Sequence, residues 1–285
     1  MQSRGIRPAF VLDEGGAIVT GAMPGIEAPV ATVGVAEKGY MTVKLAVKVD
    51  GGHSSQPPRE TAIGIMSEAI SRLEGRQMPG GIDGLSADML AYIGPEMPFG
   101  MRIAVGNLWL FSPVLERQFA ASPVMNAFLR TTTAPTIIQG GTKENVLPPE
   151  VTAIVNFRLL PGDTRDDVVE HIRSVVGDAR VAIEPFMDQA LEASKVSAAS
   201  GLHFELLQRT IRETSPGTVV TPYLVIGATD SRKFEVICDD IYRFLPMLIE
   251  NDDLKRMHGT NERISVDAYD GMLQFYHRLI VNAAM

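Results

Sequence analysis

The run PVATVGVAEKGYMTVKLAVKVD, residues 29–50, changes character half-way along. As far as Lys38 it is apolar and β-branched and reads as a strand. From Tyr40 it alternates. Met41, Val43, Leu45, Val47 and Val49 fall on one side, and Lys44, Lys48 and Asp50 on the other. That period of two marks a strand with one face in a core and one toward water. Two strands of different texture in succession imply two sheets, with the boundary at residues 39–40.

Downstream of the break, RETAIGIMSEAISRLEGR places Ile63, Met66, Ile70 and Leu73 on a helical stripe. Pro58 is the expected helix start. Two more helical stretches follow, around residues 85–93 and 113–121. TTTAPTIIQGG and VTAIVNFRLLP read as strands, TRDDVVEHIRSVVGD as a helix and RVAIEPF as a strand. This order predicts an α+β sandwich with a mostly antiparallel sheet over residues 40–187.

After the Ala/Ser-rich link DQALEASKVSAASG the texture changes again. LHFELLQRTIRET is a helix, GTVVTPYLVIGATDS an apolar strand, DIYRFLPMLI a second strand and SVDAYDGMLQFYHRLIVNA a long helix. Such β/α alternation matches residues 1–39, where RPAFVLDEGG reads as a short strand, Ala9 to Leu12, stopping at Asp-Glu-Gly-Gly. The expected architecture is an α/β domain in two pieces, 1–39 and 188–285, with the α+β sandwich inserted between them. The α/β domain is expected to be incomplete, because residues 1–12 enter its sheet with no preceding strand and leave an apolar edge.

The net charge of −8 argues against a nucleic-acid backbone or an anionic membrane as partner. No apolar run has the length to span a bilayer. Cys238 is the single cysteine, which excludes an intrachain disulfide and reads as a small buried hydrophobe. MQSRGIRPAF lacks the apolar core of a signal peptide, which places the chain in the cytoplasm if residue 1 is its true start.

Taken singly, the chemistry-bearing residues are ordinary. Asp13 and Glu14 before two glycines look like a turn. His53 in GGHSSQPP looks like a loop histidine, and His258 in MHGTNERISV like a solvated one. His171, His203 and His277 fall within helices and read as structural or surface residues. No nucleophile elbow, Walker loop, H-E-x-x-H pair or dinucleotide-binding turn is present.

In order along the chain, however, VLDEGG, GGHSSQPPRETAIG, RTTTAPTIIQGGTKENVLPP, VNFRLLPGDT, GATDSRKF, YRFLPM and MHGTNERISVDAY resemble the M20 metallopeptidase family. They look closest to its carboxypeptidase S and N-acyl-amino-acid hydrolase branch. The resemblance implies an α/β catalytic domain that binds two Zn²⁺ ions, with an inserted lid through which members form homodimers. It implies hydrolysis of an amide beside a free carboxylate, in N-acyl amino acids or small peptides, by a metal-activated water with a glutamate as general base. Carried over residue by residue, Asp13 ligates one metal and His258 the other. His53 steadies the oxyanion in the partner's site. Asn145 lies near the substrate, and Arg158 pairs with the substrate carboxylate. Gly227 opens the loop GATDSR, which lines the pocket. Within that loop Asp230 and Arg232 read equally as a structural ion pair.

The family pattern also requires a His-x-Asp metal pair, a bridging aspartate and a Glu-Glu pair, in a preceding segment of about one domain's length. Neither His-x-Asp nor Glu-Glu occurs in the 285 residues. With one ligand per metal, where each zinc takes about four, the chain is expected to be a C-terminal fragment, inactive alone. The alternatives are a non-catalytic dimerisation or binding module, and one half of a split enzyme.

Overall fold

The structure, a computed structural model, describes residues 2–21, 25–186, 190–249, 253, 256–257 and 259–284. The strands in chain order are β1 (Val11–Val19), β2 (Val30–Glu37), β3 (Met41–Lys48), β4 (Gly52–His53), β5 (Thr132–Gly140), β6 (Val146–Leu147), β7 (Glu150–Arg158), β8 (Val181–Pro185), β9 (Val219–Val225) and β10 (Ile241–Ile249). The helices are α1 (Ala62–Gly75), α2 (Gly84–Ile93), α3 (Phe99–Gly106), α4 (Leu108–Ala120), α5 (Pro123–Leu129), α6 (Arg165–Val176), α7 (Leu202–Thr214) and α8 (Val266–Ala283). They form two compact units. The first comprises Met1–Glu37, Ile82–Ala121 and Ser194–Met285, and the second Lys38–Gly81 and Ser122–Ala193.

The second unit is a four-stranded antiparallel sheet in the order β5-β7-β3-β8. Its alternation is the one the sequence carries. Met41, Val43, Leu45 and Val47 of β3 and Val151, Ala153, Val155 and Phe157 of β7 are buried in one core with α1 and α6. Helix α1 begins after Thr61, whose hydroxyl accepts from the Gly64 amide, and not at Pro58. Its buried face is Ala62, Ile65, Met66, Ala69 and Leu73, while Ile63 is exposed. Ile63 lies to one side of that face and falls outside the buried stripe.

The first unit holds a mixed sheet in the order β1-β10-β2-β9. β1 runs parallel to β10 and β2 parallel to β9, while β2 meets β10 and the end of β1 antiparallel. Helices α7 and α8 cover one face. Val33 and Val35 of β2 and Tyr242 and Phe244 of β10 pack there with Phe204, Leu207, Ile211, Phe275 and Leu279.

Three readings of the sequence differ from the structure. β1 does not stop at Asp-Glu-Gly-Gly but runs through it to Val19. Residues 82–121, read in the sequence as part of the 40–187 insertion, are grouped by contact with the first unit. Helix α2 packs on β9, Thr221 donates to the Met89 carbonyl at 3.3 Å, and the Tyr92 hydroxyl donates to the Ala199 carbonyl at 2.6 Å. Pro113 lies inside α4, which begins at Leu108, and α3 before it was not foreseen.

Candidate active site

The site is built on an interruption in β1. Register with β10 is regular from Val11 to Asp13 and is lost between Asp13 and Ala17. Gly15 has φ +143°, and a Cβ on Gly16 would lie 1.7 Å from the Thr32 carbonyl oxygen. Only glycine tolerates either position, so the chain bulges where a side chain would force the strands apart. The backbone groups freed by the bulge are satisfied by one hydroxyl. Thr32 accepts from the Ala17 amide at 3.1 Å and donates to the Ala17 carbonyl at 3.0 Å.

Asp13 pairs in register with Arg243, and Arg243 with Gly34. These three stand in a row on the face opposite α7 and α8, because their neighbours Leu12, Tyr242, Val33 and Val35 pack toward those helices. Burial acts to raise the Asp13 pKa. It is outweighed by hydrogen bonds from Glu14, the Thr229 hydroxyl and the Ser231 amide, so the carboxyl sits below its usual range. Glu14 shifts upward, chiefly because it shares a hydrogen bond with Asp13. Asp13 is therefore the more acidic of the two carboxyls. Asp13 Oδ2 is buried and takes no hydrogen bond.

Beside Asp13 lies a charge cluster that the sequence reading did not find. Glu37 and Arg243 are both fully buried. Arg243 Nε donates to Glu37 Oε1 at 3.0 Å and to Ser231 Oγ at 2.9 Å, and Nη1 donates to the Ile241 carbonyl at 2.9 Å. Burial pushes the guanidinium pKa down against the pull of Glu37. Arg232 approaches the other Glu37 oxygen at 3.9 Å, while Asp230 pairs with Lys233 at 2.6 Å. The proposed Asp230–Arg232 pair is therefore not what forms. The signal was present as a glutamate closing one apolar run and an arginine inside another, since charges in buried strands need partners.

His53 and Asn145 come together on a small ribbon in the second unit. β4 pairs with β6, and the Ser54 amide donates to the Asn145 carbonyl at 3.1 Å. The Ser55 amide points at His53 Nδ1 from 3.1 Å, and an amide only donates. Nδ1 is therefore the acceptor, and the exposed ring carries its proton on Nε2. Arg158, half-buried at the end of β7, stacks its guanidinium 4.8 Å over the Tyr40 ring. Stacking uses the flat face and leaves the N–H edge for a carboxylate. Gly227 is exposed, and a Cβ there would meet nothing within 4 Å, so no close approach requires glycine. His258 lies outside the described residues.

Residues 35–184 match the family model of the peptidase dimerisation domain of M20 enzymes, just over half of the chain. The chain belongs to the M20 peptidase family. Among its relatives, the N-fatty-acyl-amino acid synthase/hydrolase PM20D1 of Xenopus tropicalis is 44% identical over 99% of this chain and 55% of that protein. The human PM20D1 is 42% identical over 99% and 57%. "Probable carboxypeptidase S-like 2" of Dictyostelium discoideum is 40% identical over 96% and 52%. The chain thus spans about half the length of the curated relatives it matches. In fold it is similar to the M20 family metallo-carboxypeptidase Sso-CP2 of Sulfolobus solfataricus, with a TM-score of 0.60 at 15% identity, covering 98% of this chain and 64% of that one.

For a metal, the donors fit in part. Asp13 Oδ2 is a buried carboxylate oxygen without a hydrogen bond, and carboxylate oxygen is an ordinary zinc donor. Among the described residues no group of three or more His, Cys, Asp or Glu side chains is gathered to hold one. No helix among them is long and apolar enough to cross a membrane.

Proposed function

We propose that this chain forms part of a zinc-dependent M20 amidohydrolase that cleaves N-acyl amino acids or small peptides beside a free carboxylate. The observation that carries the reading is Asp13, an ionised carboxylate at a glycine bulge with one buried oxygen left without a hydrogen bond. Asp13 and His258 would each hold one metal, and zinc when bound supplies a water activated for attack on the carbonyl. His53 presents an Nε2–H donor suited to an oxyanion. Arg158 offers its planar edge to the substrate carboxylate, with Asn145 and the loop opened by Gly227 completing substrate contacts. The general base and the remaining metal ligands lie outside these 285 residues, since neither His-x-Asp nor Glu-Glu occurs in them.

Two experiments test this. The 285-residue chain with Zn²⁺ is expected to show no turnover of an N-fatty-acyl amino acid. Turnover that disappears in His258→Ala would mean the chain completes the site itself and would contradict the partial-site reading. The second concerns association through the second unit. β5 is an edge strand with Ile137 and Ile138 exposed, a surface suited to a second copy. Sedimentation should show a dimer that Ile137→Lys/Ile138→Lys converts to monomer, and a parent chain monomeric at every concentration would overturn the dimer.

A further inference from the structure

Helix α4 opens on Leu-Trp-Leu-Phe and carries apolar side chains on every side. One side is accounted for. Leu115 is buried there, with Leu108, Phe111 and Phe119 half-buried around it. The outer side is bare. Trp109, the single tryptophan of the chain, is 83% exposed, and Leu110 and Val114 are exposed with it. The preceding helix α3 adds Phe99, 75% exposed, and Ile103. A helix that is apolar all round is ordinarily covered all round. A contiguous exposed patch of large apolar side chains marks a surface that meets something other than water.

The charges on the two helices say what that is. The net charge of −8 argues against an anionic membrane for the chain as a whole, but it is not spread evenly. Arg102 of α3 and Arg117 of α4 are exposed, and neither makes a hydrogen bond or ion pair among the described residues. Glu116, the one acid in α3 and α4, is half-buried and occupied, its Oε1 accepting from the Ile82 amide at 3.1 Å. The patch is therefore locally cationic. A second copy of the same surface would set like charges against each other. An apolar protein partner would bury two arginines without counter-charge. Tryptophan, phenylalanine and leucine beside unpaired arginines are the composition of helices that lie in the headgroup region of an anionic bilayer. With 8 and 13 residues, α3 and α4 have the length to lie on such a surface and not to span it. A second bare stripe, Tyr269, Leu273, Tyr276 and Ile280 on α8, is flanked by Asp267 and Asp270 and does not suit an anionic surface.

We infer that α3 and α4 form a peripheral docking surface for an anionic lipid bilayer, with Phe99, Trp109 and Leu110 seated at the headgroup level and Arg102 and Arg117 among the lipid phosphates. This surface is independent of the amidohydrolase function proposed above.

The single tryptophan reports on it directly. The 285-residue chain is mixed with vesicles of phosphatidylcholine alone, or of equal parts phosphatidylcholine and phosphatidylglycerol, and followed by Trp109 emission and by flotation. With the mixed vesicles the emission is expected to move to the blue and the chain to float. Binding to phosphatidylcholine alone should be about tenfold or more weaker. Leu110→Ser/Val114→Ser should abolish both changes, and the fold is kept because both side chains are exposed. Arg102→Ala/Arg117→Ala should lower the affinity for mixed vesicles to that for phosphatidylcholine. Leu273→Ser/Ile280→Ser, on α8, should bind as the parent does. A chain that does not float with the mixed vesicles, or that binds both kinds equally, overturns the inference. So does flotation without a change in Trp109 emission, or flotation lost in the α8 variant but kept in Leu110→Ser/Val114→Ser, because another apolar face would then be the binder. Trp109 emission that is already blue without lipid and moves to the red on dilution would mean that a second copy covers the patch, and would overturn it as well.

Discussion

The two sheets of this chain follow opposite rules. In the second unit every core position of β3 and β7 is apolar, and the strands alternate without interruption. In the first unit β1 is broken by two glycines, and β10 carries an arginine with no solvent exposure. The irregularity of the second unit's sheet is confined to the edge strand β5, which shifts register between Pro135 and Ile137, so its central strands serve as a frame. A sheet that departs from such regularity is where function is to be sought. Even the buried charge of the second unit, Lys38, fits this division. Its Nζ donates to the Ala127 and Arg130 carbonyls at 2.8 Å each and leads to no further polar group.

The largest expected effect is in the irregular sheet. Arg243→Met alone leaves Glu37 buried without its charge partner and should cost about 3–5 kcal/mol in urea unfolding. The double change Glu37→Gln/Arg243→Met should recover most of that loss. If the single and double variants are equally destabilised, the pair is not the unit of stability assumed here. Next, Leu45→Ala should cost about 3 kcal/mol by opening a cavity in the regular core. The NMR shift of the Ser231 amide should not move with it, and a shift that moves would erase the distinction between the sheets.

Lys38 gives a pH effect of opposite sign to a lysine held in a salt bridge. Burial, opposed by Asp163 and assisted by Arg158, pushes its pKa down from 10.5 to about 8. Between those values the unfolded chain binds the proton that the folded chain has released, so stability rises with pH across that window. Guanidinium melts at pH 7.5 and 10.5 should show the parent gaining on Lys38→Met, by roughly 2 kcal/mol. A parent that loses ground to the variant contradicts the shift. The smallest effect is Tyr40→Leu, which removes the ring beneath Arg158 and should cost about 0.5–1 kcal/mol. A larger loss would mean that the stack, and not the core, holds that end of β7.

Much of the regular sheet was legible because period-two alternation is a local signal. The break after Lys38 fell within two residues of the boundary between the two compact units. That residues 82–121 pack with the first unit was not legible, because a helix carries no mark of which sheet it covers. The bulge in β1 was read as a turn because Asp-Glu-Gly-Gly has the same composition in both, and only the approach of the Thr32 carbonyl to Gly16 separates them. Asp13 was found through family resemblance. Glu37 and Arg243 are 206 positions apart, and no local pattern pairs them.

The central claim is that Asp13 presents an open carboxylate oxygen to a metal. Paramagnetic Mn²⁺, which takes carboxylate oxygens, tests it directly by amide line broadening in the labelled chain. The strongest broadening is expected at residues 13–16 and 229–231, and it should vanish in Asp13→Asn. Broadening spread over the acidic surface, or unchanged by that substitution, would contradict the account.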